Sequence, residues 1–172
     1  MTGYSAPEAC NWSKDDVHHV AEELAQLMCF GPGDPIEPKV EELGGRIEYL
    51  GPGENSEDGS LIVEGPRSFV ITLPQATSAT RDRFTIAHEL GHYILHSSFG
   101  EKPIKASRFG KPSMERIEWE ANWFAAAFLM PADHFRETWA RLSGDAACVA
   151  DRYRVSPQAA SVRARVLGLV DG

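Results

Sequence analysis

His88, Glu89 and His92 stand in the order His-Glu-Leu-Gly-His. On a helix, positions i and i+4 share one face, so two imidazoles so spaced can reach one metal ion. Glu89 lies about 60° around the helix from His92 and borders the metal without having to bind it. A carboxylate there can take a proton from a water that the metal has acidified towards a pKa of about 7, the general-base role in metal-assisted hydrolysis. A chain of this composition holds such a pentapeptide by chance roughly 0.02 times. The bland alternative is two histidines on an ordinary amphipathic helix. A capped helix with apolar Phe84, Ile86, Ala87, Leu90, Ile94 and Leu95 around the motif argues for the metal site.

Two histidines and a water leave one protein ligand to find. His96 continues the spacing, but on an unbroken helix it sits about 12 Å along the axis from His88, too far to share an ion. It reads instead as a cation suited to a helix C-terminus. The carboxylate expected as third ligand is Glu120. It falls within the apolar stripe Ile117, Ala121, Phe124, Ala127 and Phe128, where a charge is costly unless paired or bound. Glu118 lies about 100° off that stripe, on the side expected to face solvent. Glu115 suits the helix dipole in the first turn. Without a metal, Glu120 would pair with an arginine such as Arg83. Gly91, inside the helix, costs about 1 kcal/mol against alanine and implies that another backbone or a substrate comes close there.

The elements that must position these groups follow from periodicity. Val17, Val20, Ala21, Leu24, Leu27 and Met28 recur at helical spacing behind a Ser13 cap, and Gly31-Pro32-Gly33 breaks the run. Residues 1–13 carry no pattern and are expected to fray. A short helix is expected over 38–43. Residues 46–50, 60–64 and 68–73 read as strands, the last two as a hairpin. A helix capped by Thr77, Ser78 or Thr80 should reach about His96, residues 97–112 should form a loop, and a long helix should span 113–130. Short helices are expected near 145–153 and 157–167, the latter with Ser156 as cap and Pro157 at its first position.

The composition excludes several classes. The 172 residues are 42% hydrophobic and 24% charged, which is globular rather than disordered. Seventeen Lys and Arg against 25 Asp and Glu give a net charge of −8, which argues against nucleic acid or anionic membrane as the main partner. No apolar run reaches the roughly 18–20 residues of a membrane span, and no secretory leader pattern is present. Three scattered cysteines, Cys10, Cys29 and Cys148, suggest free thiols in a reducing, cytoplasmic setting. Between 141 and 172 there are five Arg and three Asp, a balance of +2 that is weak for a DNA reader. The last two helices are therefore expected to pack on the core through Val149, Tyr153, Val162, Val166 and Leu167, with Arg163 and Arg165 on the second.

The run from Arg83 to His96, with its His-Glu-Leu-Gly-His core, resembles the signature of the ImmA/IrrE family of small zinc peptidases. So does the run Glu120-Ala121-Asn122 through Phe124-Ala125-Ala126 to Leu129-Met130-Pro131. The resemblance covers about residues 38–170. It implies a gluzincin-like site with His88, His92 and Glu120 as ligands, Glu89 as base, and Zn2+ (or Mn2+) as the metal. It also implies a protein substrate, a helix-turn-helix repressor whose cleavage switches on stress or mobile-element genes. Some relatives are halves of toxin–antitoxin pairs. Two other readings stand beside the peptidase: a non-cleaving antirepressor that binds its partner, and a DNA-binding regulator using the C-terminal helices. The intact Glu89 favours the peptidase over the first, and the acidic balance disfavours the second. Tyr93, His134, Tyr153 and nearby arginines are conceivable oxyanion stabilisers. The loops 51–59 and 97–112 are placed to form a cleft or lid, and the sheet edge to hold an extended peptide by strand addition.

The expected fold class is α+β: an N-terminal helix, a small antiparallel three-stranded sheet, a helical bundle carrying the metal helix and the Glu120 helix, and a C-terminal helix-turn-helix-like pair. The expected organisation is one metallopeptidase domain over 1–172, divided into 14–74, 75–142 and 143–172.

Overall fold

The computed structural model describes residues 3–54, 59–107 and 115–171. Among these the fold is α+β, with seven α-helices and a four-stranded sheet. Helix α1 (Lys14–Leu27) begins at Ser13, whose side chain accepts the Asp16 amide. It buries Val17, Ala21 and Ala25. Helix α2 (Glu37–Glu42) leads into strand β1 (Gly45–Tyr49). Strands β2 (Ser60–Gly65) and β3 (Ser68–Leu73) form the hairpin, with Arg67 in the left-handed region at its turn.

The sheet departs from expectation in two ways. Its order is β1-β3-β2-β4. Strand β1 runs parallel to β3, with Ile47 opposite Ile71, so the sheet is mixed rather than antiparallel. The chain between β1 and β2 is long enough to carry the hairpin past β1, so that its second strand, not its first, lies alongside. Strand β4 (Lys105–Ser107) adds antiparallel to β2 within what reads as a loop. Three residues are too few to show an alternation.

Helix α3 (Ala79–Gly91) is capped by Ser78 and packs on the sheet. It does not run on as α-helix to His96. Residues His92–His96 form a π-helical turn, a form that commonly marks functional positions. Helix α4 (Glu115–Leu129) lies between α1 and α3 and packs on both. The expected start of this helix at 113 lies outside the described residues. At the crossing of α3 and α4, a Cβ on Gly91 would stand 3.1 Å from the Ala121 Cα and 3.2 Å from the Ala121 carbonyl oxygen. Gly91 therefore lets the two backbones touch, which accounts for a glycine inside the helix.

Helices α5 (Ala132–Arg141), α6 (Ala146–Tyr153) and α7 (Pro157–Val166) complete the fold. Val149 and Tyr153 enter the core as expected. Val162 and Val166 do not: both stay about half exposed, and α7 packs through Ala160, Arg163 and Ala164 instead. Burial of Arg163 removes it from any surface that could read DNA. Arg83 is also buried, donating to the carbonyls of Tyr153 and Asp34 and stacking over Phe30. Burial, with Arg154 nearby, lowers its pKa to about 10, so it remains a cation and ties α3 to the segments on either side. It is not the partner of Glu120.

The N-terminal segment is not frayed over residues 3–13. Ser5 bridges to Ile104, and the amides of Cys10 and Asn11 both donate to Glu120. Among the described residues no helix is long and apolar enough to cross a membrane. The three cysteines are free.

Candidate metal centre

His88 closes α3 from within, and His92 opens the π-helical turn one helical turn later. Both are buried. Their Nε2 atoms lie 3.1 Å apart. Glu118, from α4, brings its carboxylate to 3.0 Å from His88 Nε2 and 3.3 Å from His92 Nε2. These three residues form one group of side chains that could hold a metal ion. Ligand atoms about 2.0–2.1 Å from a tetrahedral zinc stand about 3.3 Å from one another, close to the spacing found.

The hydrogen bonds behind the histidines determine which ring nitrogens face inward. His88 Nδ1 lies 2.9 Å from Asn122 Oδ1, so that nitrogen donates and Nε2 is left as an acceptor. His92 Nδ1 lies 2.8 Å from His96 Nδ1, and His96 Nε2 lies 2.9 Å from Glu120 Oε2. A carboxylate accepts, so His96 carries its proton on Nε2 and must accept at Nδ1. His92 then donates from Nδ1, and its Nε2 is an acceptor as well. Tautomers assigned in this way from the network leave two ring nitrogens and a carboxylate, all electron-pair donors, within hydrogen-bond distance of one another. Such a set is repulsive until a cation lies between its members. The residues present fit a metal, and zinc in particular.

Electrostatics agrees. Burial opposes ionisation of Glu118, but the closeness of His88 and His92 outweighs that and holds the carboxyl far below the usual range, so it enters the site as a carboxylate. Burial and then His92 lower the pKa of His96 to about 4, so this residue is neutral. It is not the helix-end cation that its position suggests.

Glu120 does not join His88 and His92. It is fully buried, as expected, but on the other side of His96. It accepts from Arg116 Nε at 2.9 Å, from the Cys10 and Asn11 amides at 3.0 and 2.8 Å, and from His96. The sequence reading assigned α4 a single buried stripe, yet this helix is sandwiched and has two. Glu118 and Asn122, four residues apart, point at α3, while Glu120 points at the N-terminal segment. The available signal is the small residue Ala121 set against Gly91, which marks the face where α4 meets the metal helix.

Cys10, His96 and Glu120 form a second cluster of possible ligands. Both His96 nitrogens and the Glu120 carboxylate are engaged in the network just described, and burial raises the Cys10 thiol pKa. The cluster is the outer support of the first. Glu120→Ala is expected to lower metal affinity roughly 10–100-fold, the usual cost of an outer-shell partner. Loss of four hydrogen bonds to a buried carboxylate should also cost roughly 2–5 kcal/mol of stability, a Tm lower by roughly 5–15 °C. Chelator competition and calorimetry read the two effects. Complete loss of stoichiometric metal would make Glu120 a ligand after all.

Glu89 is buried, 2% exposed, beside His88. A Cβ on Gly59 would stand 3.3 Å from its Oε1 and 2.5 Å from Thr85 Cγ2, so the glycine before β2 gives the carboxylate its room. The sequence did not single out Gly59. The candidate oxyanion groups are used elsewhere. Tyr93 Oη donates to the Phe99 carbonyl and accepts the Arg67 amide, and its ring stacks on Phe69. Tyr153 Oη lies 2.6 Å from His134 Nδ1, beneath α5.

Residues 40–165 match the peptidase family M78, described as the IrrE N-terminal-like domain, and the chain belongs to that family. Membership supports a metallopeptidase role and implies a metal, usually zinc. No curated protein matches the chain significantly. Among solved structures it is similar to a Mycobacterium tuberculosis transcriptional regulator, with a TM-score of 0.63 and 18% identity. The match covers 90% of this chain and 47% of that one, so the chain spans about half the length of its structural relative. At that identity the likeness is one of fold.

Proposed function

We propose that this chain is a zinc-dependent endopeptidase with His88, His92 and Glu118 as metal ligands and Glu89 as general base. The observation that carries the reading is the convergence of two His Nε2 atoms and the Glu118 carboxylate within 3.0–3.3 Å, with every outward-facing ring nitrogen already donating or accepting elsewhere. Zinc held there supplies Lewis acidity, lowering the pKa of a water and polarising a peptide carbonyl. Asn122 holds the His88 ring, and the His96–Glu120 pair holds that of His92, so both present Nε2 without reorganisation. The Glu89 carboxylate takes the proton of the attacking water and returns it to the leaving amine nitrogen as the peptide bond breaks.

The substrate proposed is an extended segment of a regulatory protein in the cytoplasm, a helix-turn-helix repressor by kinship with the family. Strand β4 lies at the edge of the sheet, and its Ser107 end is opposite Ser60, next to Gly59 and so to Glu89. A peptide adding there as a further strand would pass the base. At the other end, the bridge from Ser5 to Ile104 already covers the edge. That supports entry from the Ser107 end.

The test is to incubate the zinc-loaded protein with a helix-turn-helix repressor encoded beside it and to read intact mass. The expected result is two fragments summing to the repressor plus one water, and no cleavage once the zinc is chelated. A stable complex with uncut repressor would favour the antirepressor reading instead.

A further inference from the structure

A cavity of about 710 Å³ lies between α1, the first half of α3, α4 and α7. Apart from Asn122, its wall takes no part in the chemistry above. The volume is that of pockets that hold a whole small molecule.

Its charge is opposite to that of the protein. The chain carries −8, yet among the described residues the cavity wall contributes Lys14, Arg81 and Arg163 and no carboxylate. Ser78 and Ser156, the caps of α3 and α7, are also in the wall, so two helix N-termini add partial positive charge. Arg163 is the most telling residue. It is 1% exposed; its Nε donates to the Met130 carbonyl and its Nη2 to Glu22, while the buried Nη1 has no partner among the described residues. A buried guanidinium nitrogen left so is costly unless something accepts from it. His18, in the same wall, registers the positive field: burial, then Arg163 and Lys14, lower its pKa to about 4.

The wall also has an apolar part, and three of its side chains are unusually open to solvent. Trp119 is 51% exposed, Val162 46% and Val166 45%. Trp123 stands beside them, with Lys14 Nζ 5.5 Å from its ring centre.

We propose that this cavity binds an amphipathic organic anion, its phosphate or carboxylate held by the exposed Lys14 and Arg81, with the buried Arg163 adding positive charge from behind the wall, and its apolar body lying against Trp119, Trp123 and Val162. The inference does not depend on the peptidase reading. It would hold for a protein that cuts nothing.

Trp119 and Trp123 make the test direct. The fluorescence of the chain, in which these are two of four tryptophans, is titrated with octyl phosphate below its micelle concentration, with octanoate, with octanol, and with inorganic phosphate alone. Saturable binding of octyl phosphate or octanoate is expected, and the stronger of the two identifies the head group. Octanol and free phosphate should each bind roughly tenfold more weakly or worse, because each lacks one half of the match. The double variant Lys14→Gln, Arg81→Gln changes two exposed residues and should keep its circular dichroism and Tm while binding the anion roughly tenfold more weakly. Equal binding of octanol, unchanged affinity in the double variant, or no saturation by either anion would overturn the proposal. So would saturation by an acidic peptide alone, which would make the cavity a seat for protein side chains.

Discussion

Glu118→Ala is expected to bring the protein's zinc content from about one ion per chain to nearly none after dialysis. Among the described residues Glu118 is the single carboxylate that reaches both inward-facing imidazole nitrogens, at 3.0 and 3.3 Å. Removing it leaves two nitrogens on a buried wall, a set too small for a closed zinc site. The loss should exceed the 10–100-fold typical of an outer partner and amount to roughly 1,000-fold or more in affinity. The comparison with Glu120→Ala is the sharper experiment. Both variants remove a glutamate from α4, two positions apart. If the geometry assigns the roles correctly, Glu118→Ala empties the site with modest cost to the apo fold, and Glu120→Ala does the reverse. Elemental analysis and calorimetry on the two proteins decide it, and the opposite pattern would restore Glu120 as the ligand.

The second large effect belongs to Glu89→Gln. The amide is nearly the same size and reaches the same position beside Gly59, so packing and metal content should persist. It cannot accept the water's proton, and loss of a general base costs roughly 10²–10⁴ in rate. Cleavage of the repressor should fall by that factor with zinc stoichiometry unchanged. Cleavage at the wild-type rate would remove Glu89 from the mechanism and leave only a metal site.

Much of this site is legible in the sequence because it is local. The spacing of His88 and His92 needs only helical geometry, and the caps Ser13, Ser78 and Ser156 are decided within four residues of themselves. What is illegible is whatever depends on a partner far along the chain. The stripe marks Glu120 as a buried carboxylate in need of a partner, but apolar residues cannot say which of two neighbours covers it. His96 was read from its place at a helix end, whereas its environment is set by α4 and is dry enough to keep it neutral. Strand β4 is short, pairing with β2 through Ser60, Leu61 and Ile62, so its three residues carry no period. The parallel placement of β1 is a matter of chain path, which alternation within a strand does not encode.

The line from His92 through His96 and Glu120 ends on the amides of Cys10 and Asn11, about 110 residues earlier in the chain. Contacts so distant in sequence form late, because the chain between them must first be ordered. On the ribosome, residues 10 and 11 emerge long before α4 exists to receive them. The imidazole of His92 is then held in its final tautomer only once α4 has been made and has met the N-terminal segment, so the outer support of the site is the last part of it to be completed. A bulky fusion at the start of the chain would disturb that last step first.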